Sequence, residues 1–281
     1  MRIDLHTHSN ASDGTQSPAQ VVSAAATAGL DVFALTDHDT TAGWAEAAAA
    51  AEQNGIALVR GIEVSCKHEG VSIHLLGYLQ DPAAPGLVEE LGRSRESRLT
   101  RAQRIVERLS RDLPLSWDDV LEQFEPGATI GRPHIADAMV AKGVVGSREA
   151  AFADYLYDGS PYYVSHYAPE AVMAVRLVVQ AGGVAVMAHP FASVRGKVVD
   201  DSVIEAMADA GMTGLEAHHR DHTDEQVRHG LELAVSLQLF VTGSSDYHGA
   251  GKPNLLGENT TDLVVLQQIE SLATGVEVLW P

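Results

Sequence analysis

Residues 1–40, MRIDLHTHSNASDGTQSPAQVVSAAATAGLDVFALTDHDT, decide the fold. Ile3 to Thr7 alternates apolar and polar side chains, the period of a strand. Ser17-Pro18 supplies an N-cap and a first-turn proline for the apolar-periodic run 19–28, and Gly29 stops it. Asp31 to Thr36, DVFALT, is a second short strand. Strand, helix and strand in that order form the repeating unit of a sheet covered by helices.

The same alternation continues outward. Thr41 to Asn54 is Ala-rich and ends at Gly55, which predicts a helix. Residues 56–65 and 71–78 are two further strand-like runs, and Asp81-Pro82-Ala83-Ala84-Pro85-Gly86 is a turn-rich junction. From Leu87 to about Tyr157 only helical patterns occur, broken at Pro114, at Pro126-Gly127 and around 143–147. Alternation then resumes, with helices expected at 169–181, 202–210 and 223–237 and strands at 184–188, 213–217 and 239–242. The expected architecture is an α/β chain: a β/α barrel from residues 1–80 and 166–281, interrupted by a helical insertion over 81–165 that would serve as a substrate cap.

Composition narrows the partners. Lys and Arg total 19 against 38 Asp and Glu, a formal net charge of −19. Such a surface repels a long polyanion, so duplex nucleic acid is not an expected partner. A small phosphorylated ligand remains compatible, because bound divalent cations reverse the field inside a pocket. No apolar run is long enough for a bilayer, and the N-terminus enters a strand pattern with no leader-like apolar segment. Cys66 is the single cysteine, so no intramolecular disulfide can form and a reducing cytoplasm is the expected compartment.

The thirteen histidines are unevenly placed. His6 and His8 lie two apart on the first strand, His38 follows the second in Thr36-Asp37-His38-Asp39, and Glu63 lies near the end of the third. His74 sits in the next strand, His189 ends a later one in Ala188-His189-Pro190, and Asp246 and His248 fall in Ser244-Ser245-Asp246-Tyr247-His248. In a β/α barrel the C-terminal strand ends converge on one rim. Imidazole and carboxylate ligands from several strands suit Zn, Mn or Fe, and their number points to more than one ion. Any one of them alone reads as an ordinary polar residue, and H-x-H by itself has many chance matches. The coincidence at successive strand ends carries the inference.

LHTHSNASDG, ALTDHD, GIEVS, AHP and SDYHG, in this order, resemble the metal motifs of the polymerase and histidinol phosphatase (PHP) domain. The resemblance implies a distorted (β/α)7 barrel with two or three divalent metal ions at the strand C-termini. Carried over by position, it implies that His6, His8, Glu63 and Asp246 hold one ion. Glu63 would bridge to a second, also held by His74 and His189, and Asp13, His38 and His248 would hold a third. Catalysis is then expected to rest on Glu63, Asp246 and His248, with Asp37 or Asp39 orienting His38. Thr129-Ile130-Gly131-Arg132-Pro133-His134 is similar to the GRPH segment of bacterial PHP phosphoesterases related to the TrpH group, which implies that Arg132 and His134 grip phosphate. Arg195, six residues after His189, is a further candidate for substrate binding.

The implied activity is hydrolysis of nucleotide phosphomonoesters, foremost the 3′-phosphate of nucleoside 3′,5′-bisphosphates, with short single-stranded 5′-phosphorylated oligonucleotides as a second substrate. The competing readings are a phosphatase of histidinol phosphate or a similar small molecule, a C–N hydrolase of amidohydrolase type, and a non-catalytic metal-binding module. Arg101, Arg104, Arg108 and Arg111 read as a solvated helix face, and His68, His166 and His229 as surface residues. His218, His219 and His222 match no implied ligand and read as rim or surface positions, with His218 or His219 the alternative candidate for supporting a ligand from behind.

Overall fold

The computed structural model describes residues 1–281. Seven strands lie side by side in chain order: β1 (Ile3–Thr7), β2 (Val32–Leu35), β3 (Ala57–His68), β4 (Val71–Tyr78), β5 (Val184–Met187), β6 (Gly214–His218) and β7 (Phe240–Gly243). β1 to β3 are mutually parallel, as are β5 to β7. A bridge between Thr7 and Tyr247 brings the two ends together, with His8 N donating to Tyr247 O at 2.8 Å, so the sheet is a nearly closed barrel. Helices α1 (Pro18–Thr27) and α2 (Trp44–Asn54) cover the first strands from outside, packing Val21, Val22, Ala47 and Ala51 on Phe33, Leu35 and Leu58. Ser17 caps α1 with the reciprocal bonds of a capping box.

β4 departs from a regular barrel. It runs antiparallel to both β3 and β5. The two-residue turn Glu69-Gly70 joins β3 to β4 with φ of 46° and 85°, the positive angles that a tight hairpin needs. No crossover helix is required, and the strand direction is reversed. His74, near the start of β4, therefore pairs with Ser65 near the end of β3 and reaches the same rim as Glu63.

A second irregularity lies in β1. Its pairing register with β2 shifts between Asp4 and Thr7. Plain alternation would place His6 and His8 on the face opposite Ile3 and Leu5. Ile3 and Leu5 pack inside the barrel with Val32, Ala34, Val59, Leu76 and Val186. The irregularity lets His6 and His8 turn inward as well, at the rim, as bulges beside active sites commonly do. The inner cluster is completed by Leu266 and Ile269 of a C-terminal helix, Leu263–Leu272, which the sequence pattern did not reveal. Tyr78 at the end of β4 donates its hydroxyl to Leu5 O at 2.9 Å within this cluster. Tyr78→Phe leaves that buried carbonyl one donor short and should destabilise the chain by about 1–2 kcal/mol in denaturant titration.

The insertion begins on a long helix, α3 (Pro85–Leu109). Leu87 and Leu91 of its first half pack into the barrel's outer core, whereas Ala102, Ile105, Val106 and Leu109 join a separate core. That second core also takes residues from α4 (Trp117–Leu121), α5 (Arg132–Ala141) and α6 (Arg148–Ala151), and from a π turn over Phe152–Leu156. α3 thus belongs to both parts and fixes the insertion over the barrel rim. Of the four arginines read as a solvated face, Arg101 is buried, with Nε donating to Val164 O at 2.8 Å, and Arg108 bonds Tyr163 O. The predicted solvated face holds for Arg104 and Arg111 only.

Candidate metal centre

The rim gathers the predicted ligands. Glu63 is fully buried at their centre. Its Oε2 lies 3.3 Å from His6 Nε2, 3.0 Å from His8 Nε2 and 3.1 Å from His38 Nδ1. Its Oε1 lies 2.8 Å from His74 Nδ1 and 3.3 Å from His189 Nε2. Asp246 Oδ1 faces His6, His8 and His248 at 3.5, 3.4 and 3.4 Å. Asp13 Oδ1 faces His248 Nε2 at 3.2 Å and His38 Nε2 at 3.8 Å. Ligand atoms lie within 4.8 Å of one another in three groups: His6, His8, Glu63 and Asp246; His8, Asp13, His38 and His248; and His38, Glu63 and His74. The first is the set implied by the resemblance. The second adds His8 to the expected trio, and the third has His38 where His189 was expected beside Glu63 and His74, His189 Nε2 standing back at 3.3 Å from Glu63 Oε1.

The polar atoms themselves show what this cluster is built for. Asp13 Oδ1, His38 Nδ1, Glu63 Oε2, His74 Nδ1 and His248 Nε2 are buried and, though they face one another closely, none makes a hydrogen bond of acceptable angle. Buried polar atoms are almost always satisfied, so a concentration of orphans here is a mark of ligands aimed at cations. Burial pushes the Glu63 carboxyl up, yet His38, His74 and His6 hold it well below the usual range. Burial drives His189 down to about 3, with Arg195 adding to the effect, and drives His248 down to about 4. Against burial, Glu63, Glu216 and Asp246 hold His6 well up, and Asp246 and Glu63 hold His8 up at about 9, so a divalent ion would displace a proton from these two, because neutral imidazoles and ionised carboxylates are the binding states. The donor set fits Zn, Mn or Fe.

Supporting residues fix these side chains. Glu216 of β6, which the sequence reading passed over, is fully buried. Its Oε1 accepts from His6 Nδ1 at 3.0 Å and Ser244 Oγ at 2.6 Å, and its Oε2 accepts from His189 N at 2.8 Å. One carboxylate therefore turns His6 Nε2 toward Glu63 and pins the backbone of His189. His189, Asp246 and Asp39 have φ of 30°, 52° and 53°, an unfavourable region that clusters at functional sites. Glu216→Gln is expected to weaken ion binding by about 10- to 100-fold, read by titrating the apoprotein with Mn²⁺. Asp37 and Asp39 do not act as expected on His38. Asp37 accepts from Ser9 N, Ser9 Oγ and Ser12 Oγ, each at 2.7 Å, and so orders the loop that carries Asp13. Asp39 accepts from Ser65 N at 2.8 Å and Arg98 Nε at 2.8 Å.

The expected substrate residues occupy two places. Arg132, at the first position of α5, donates Nη1 to Leu156 O at 2.8 Å and to Asp158 Oδ1 at 2.5 Å. Together with Arg98 and Arg101 it lines a narrow cleft over Ile105, Ile130 and Ile135 that is closed to water below its mouth. His134 is buried, and its Nδ1 accepts from Gly131 N at 3.0 Å, so it caps α5 from within. Arg195 donates to Asp221 Oδ2 and Asp246 Oδ2, both at 2.6 Å, and Lys252 Nζ reaches the same Asp246 oxygen at 3.0 Å. Two histidines read as rim or surface residues lie deeper than the surface, and His219 stands where the supporting alternative would put it. His219 is buried with Nε2 3.7 Å from Asp246, and His166 is pushed down to about 3 by burial and by Arg101, Arg98, Arg132 and Lys67. Arg98 was also missed; the only trace in sequence is the arginine spacing at 95, 98 and 101 along one helix.

A barrel rim of this composition defines a metal-dependent hydrolase of phosphate esters, and comparison with known proteins agrees. Residues 4–119 match the model of the PHP domain. The chain is 36% identical over 262 residues to a 3′,5′-nucleoside bisphosphate phosphatase of Chromobacterium violaceum, covering 93% of this chain and 92% of that protein. It is 33% identical to a 5′-3′ exoribonuclease of Haemophilus influenzae, covering 88% and 90%. It is also 33% identical to a phosphoribosyl 1,2-cyclic phosphate 1,2-diphosphodiesterase of Eggerthella lenta, covering 88% and 94%. A Bifidobacterium adolescentis crystal structure assigned as a metal-dependent phosphoesterase superposes with a TM-score of 0.95 at 43% identity, covering 97% and 96% of the two chains. The chain belongs to the PHP family of metal-dependent phosphoesterases. No helix is long and apolar enough to cross a membrane.

Proposed function

We propose that this chain hydrolyses nucleotide phosphomonoesters, foremost the 3′-phosphate of nucleoside 3′,5′-bisphosphates, and trims short 5′-phosphorylated oligonucleotides as a second activity. The observation that carries this reading is the cationic cleft of Arg98, Arg101 and Arg132. It adjoins the metal centre through Asp39, which follows His38 in sequence and whose N donates to Glu63 O at 3.0 Å. Arg98 bonds Asp39 and Ser65, and Asp158 is the only carboxylate on Arg132. Burial, Arg132 and Arg98 push Arg101 down to about 9, the response of a cation crowded by like charges. In a chain of net charge −19, a local excess of guanidinium beside a phosphoesterase centre calls for an anion. A phosphate that is not being cleaved would match that charge at the mouth of the cleft, since Arg presents a planar fork to phosphate oxygens. Two relatives, the bisphosphate phosphatase and the 5′-3′ exoribonuclease, carry names consistent with a nucleotide unit gripped by its 5′-phosphate.

In this reading Glu63, through its two oxygens, and Asp246, Asp13 and the six rim imidazoles hold two or three divalent ions. Such ions lower the pKa of water and offset charge on the phosphoryl oxygens. Arg195 and Lys252 stand on the Asp246 side and add positive charge where the transferred phosphoryl group builds up negative charge. Arg98, Arg101 and Arg132 anchor the 5′-phosphate on the insertion side, so the 3′-ester faces Glu63. Histidinol phosphate has no second phosphate and gains nothing from the cleft.

His166 reports on cleft occupancy. A dianionic phosphate there offsets the charges that depress this imidazole, so its pKa should rise from about 3 when 5′-AMP binds. Histidine NMR titration measures the shift. A pKa that does not move at saturating 5′-AMP would place the phosphate elsewhere and contradict the reading.

A further inference from the structure

The loops carrying Asp13 and His248 lie against each other. Thr15 N and Thr15 Oγ1 donate to His248 O at 3.1 and 3.3 Å, and Ala250 N donates to Thr15 Oγ1 at 2.9 Å. The insertion reaches this junction twice. Thr129 N donates to Ala11 O at 2.9 Å, and Arg148, the first residue of α6, aims Nη1 at Asp13 O from 3.5 Å. The guanidinium passes over Gly251, where any Cβ would collide with Nη1.

Its direction is set from the other side. Asp137 of α5 takes both faces of the fork, Nε to Oδ1 at 2.5 Å and Nη2 to Oδ2 at 2.6 Å. A bidentate pair of this kind fixes orientation as well as distance. α5 also carries Arg132 at the cationic cleft. One rigid helix thus joins the cleft to the junction between two ligand-bearing loops.

We infer that Arg148 is a positioning residue through which the insertion secures the ion held by His8, Asp13, His38 and His248, an inference that rests on reading that group as a metal site. Arg148 touches no ligand side chain. It acts by limiting the separation of two loops whose ligand atoms, Asp13 Oδ1 and His248 Nε2, stand 3.2 Å apart. Loss of the brace lets the loops part, and the ion bound between them is retained less well. Of the remaining ligands, His6, Glu63, His74 and His189 sit on β1, β3 and β4 or at the end of β5, and Asp246 follows β7, held separately by Arg195 and Lys252.

The test uses the full chain as wild type, Arg148→Ala, Arg148→Lys, Gly251→Ala and Asp13→Asn. Each protein is titrated with Mn²⁺, free ion is read by electron paramagnetic resonance, and metal per chain is measured after desalting. Arg148→Ala should weaken the ion that Asp13→Asn loses by about 10- to 100-fold, as loss of an outer support to a metal ligand typically does. The tighter ions and the far-ultraviolet circular dichroism should be unchanged, with Arg148→Lys intermediate. Gly251→Ala displaces only the end of the guanidinium and should give the same weakening, which keeps the test decisive if Arg148→Ala folds poorly. Wild-type affinity for every ion in Arg148→Ala or Gly251→Ala, alongside loss of one ion in Asp13→Asn, would overturn the brace. Full ion binding in Asp13→Asn would instead overturn the site assignment, and the inference with it.

Discussion

Glu63→Ala is expected to reduce phosphate release by about 10³-fold or more, beyond the 10- to 100-fold typical of residues that only support a metal ligand. The reason is geometric. Glu63 Oε2 faces His6, His8 and His38, and Oε1 faces His74 and His189, so one side chain serves two sets of ligands. Removing it takes away the one carboxylate that both sets share and leaves five imidazoles pointing at a gap. Glu63→Gln keeps the volume but lowers the charge and should be nearly as damaging. Metal content must fall in parallel with activity. A Glu63→Ala protein that keeps its full metal complement and turns over within tenfold of wild type contradicts this account of the centre.

Arg132→Ala should have the second largest effect, and a selective one. A charge-assisted hydrogen bond contributes about 1.5–3 kcal/mol, which corresponds to about 10- to 100-fold in kcat/KM. The loss should appear with adenosine 3′,5′-bisphosphate and be absent with 3′-AMP, which has no 5′-phosphate to anchor. Arg132→Lys restores the charge without the fork and should recover part of the difference. Arg132 holds Leu156 O and Asp158, so thermal melting of the variants checks that the insertion stays folded. Equal losses on both substrates would show that Arg132 contributes to the insertion's structure and not to phosphate recognition.

Much of the barrel was legible because strand and helix periods leave direct marks. β4 was read at 71–78 and found there, and the helices after Ser17-Pro18 and before Gly55 begin and end close to those signals. Strand direction left no such mark. His74 seemed to lie inside an apolar run, and only the Glu69-Gly70 hairpin explains why the start of β4 meets the end of β3. The slip in β1 was equally hidden, because a register shift is a property of two paired strands and not of one.

The candidate ligands were legible for the same reason that the supports were not. His6, His8, Glu63, Asp246 and the rest carry residue types suited to metals at strand ends. Glu216 looks like any glutamate in a short strand until folding places it against His6, 210 residues away. Arg98 and Arg101 read as part of a charged helix, and their burial depends on how α3 lies against the rim and the insertion. Asp39 was noticed for its neighbour His38, yet its contacts run to Ser65 and Arg98, linking the metal centre to the cleft.

The most direct test is the fate of adenosine 3′,5′-bisphosphate with the Mn²⁺-loaded protein. Inorganic phosphate and the nucleotide product are measured together, with a chelator-treated control. The account predicts one phosphate released per substrate and 5′-AMP as the product, with both lost in the control. Release that yields 3′-AMP, or no metal-dependent release at all, would contradict it.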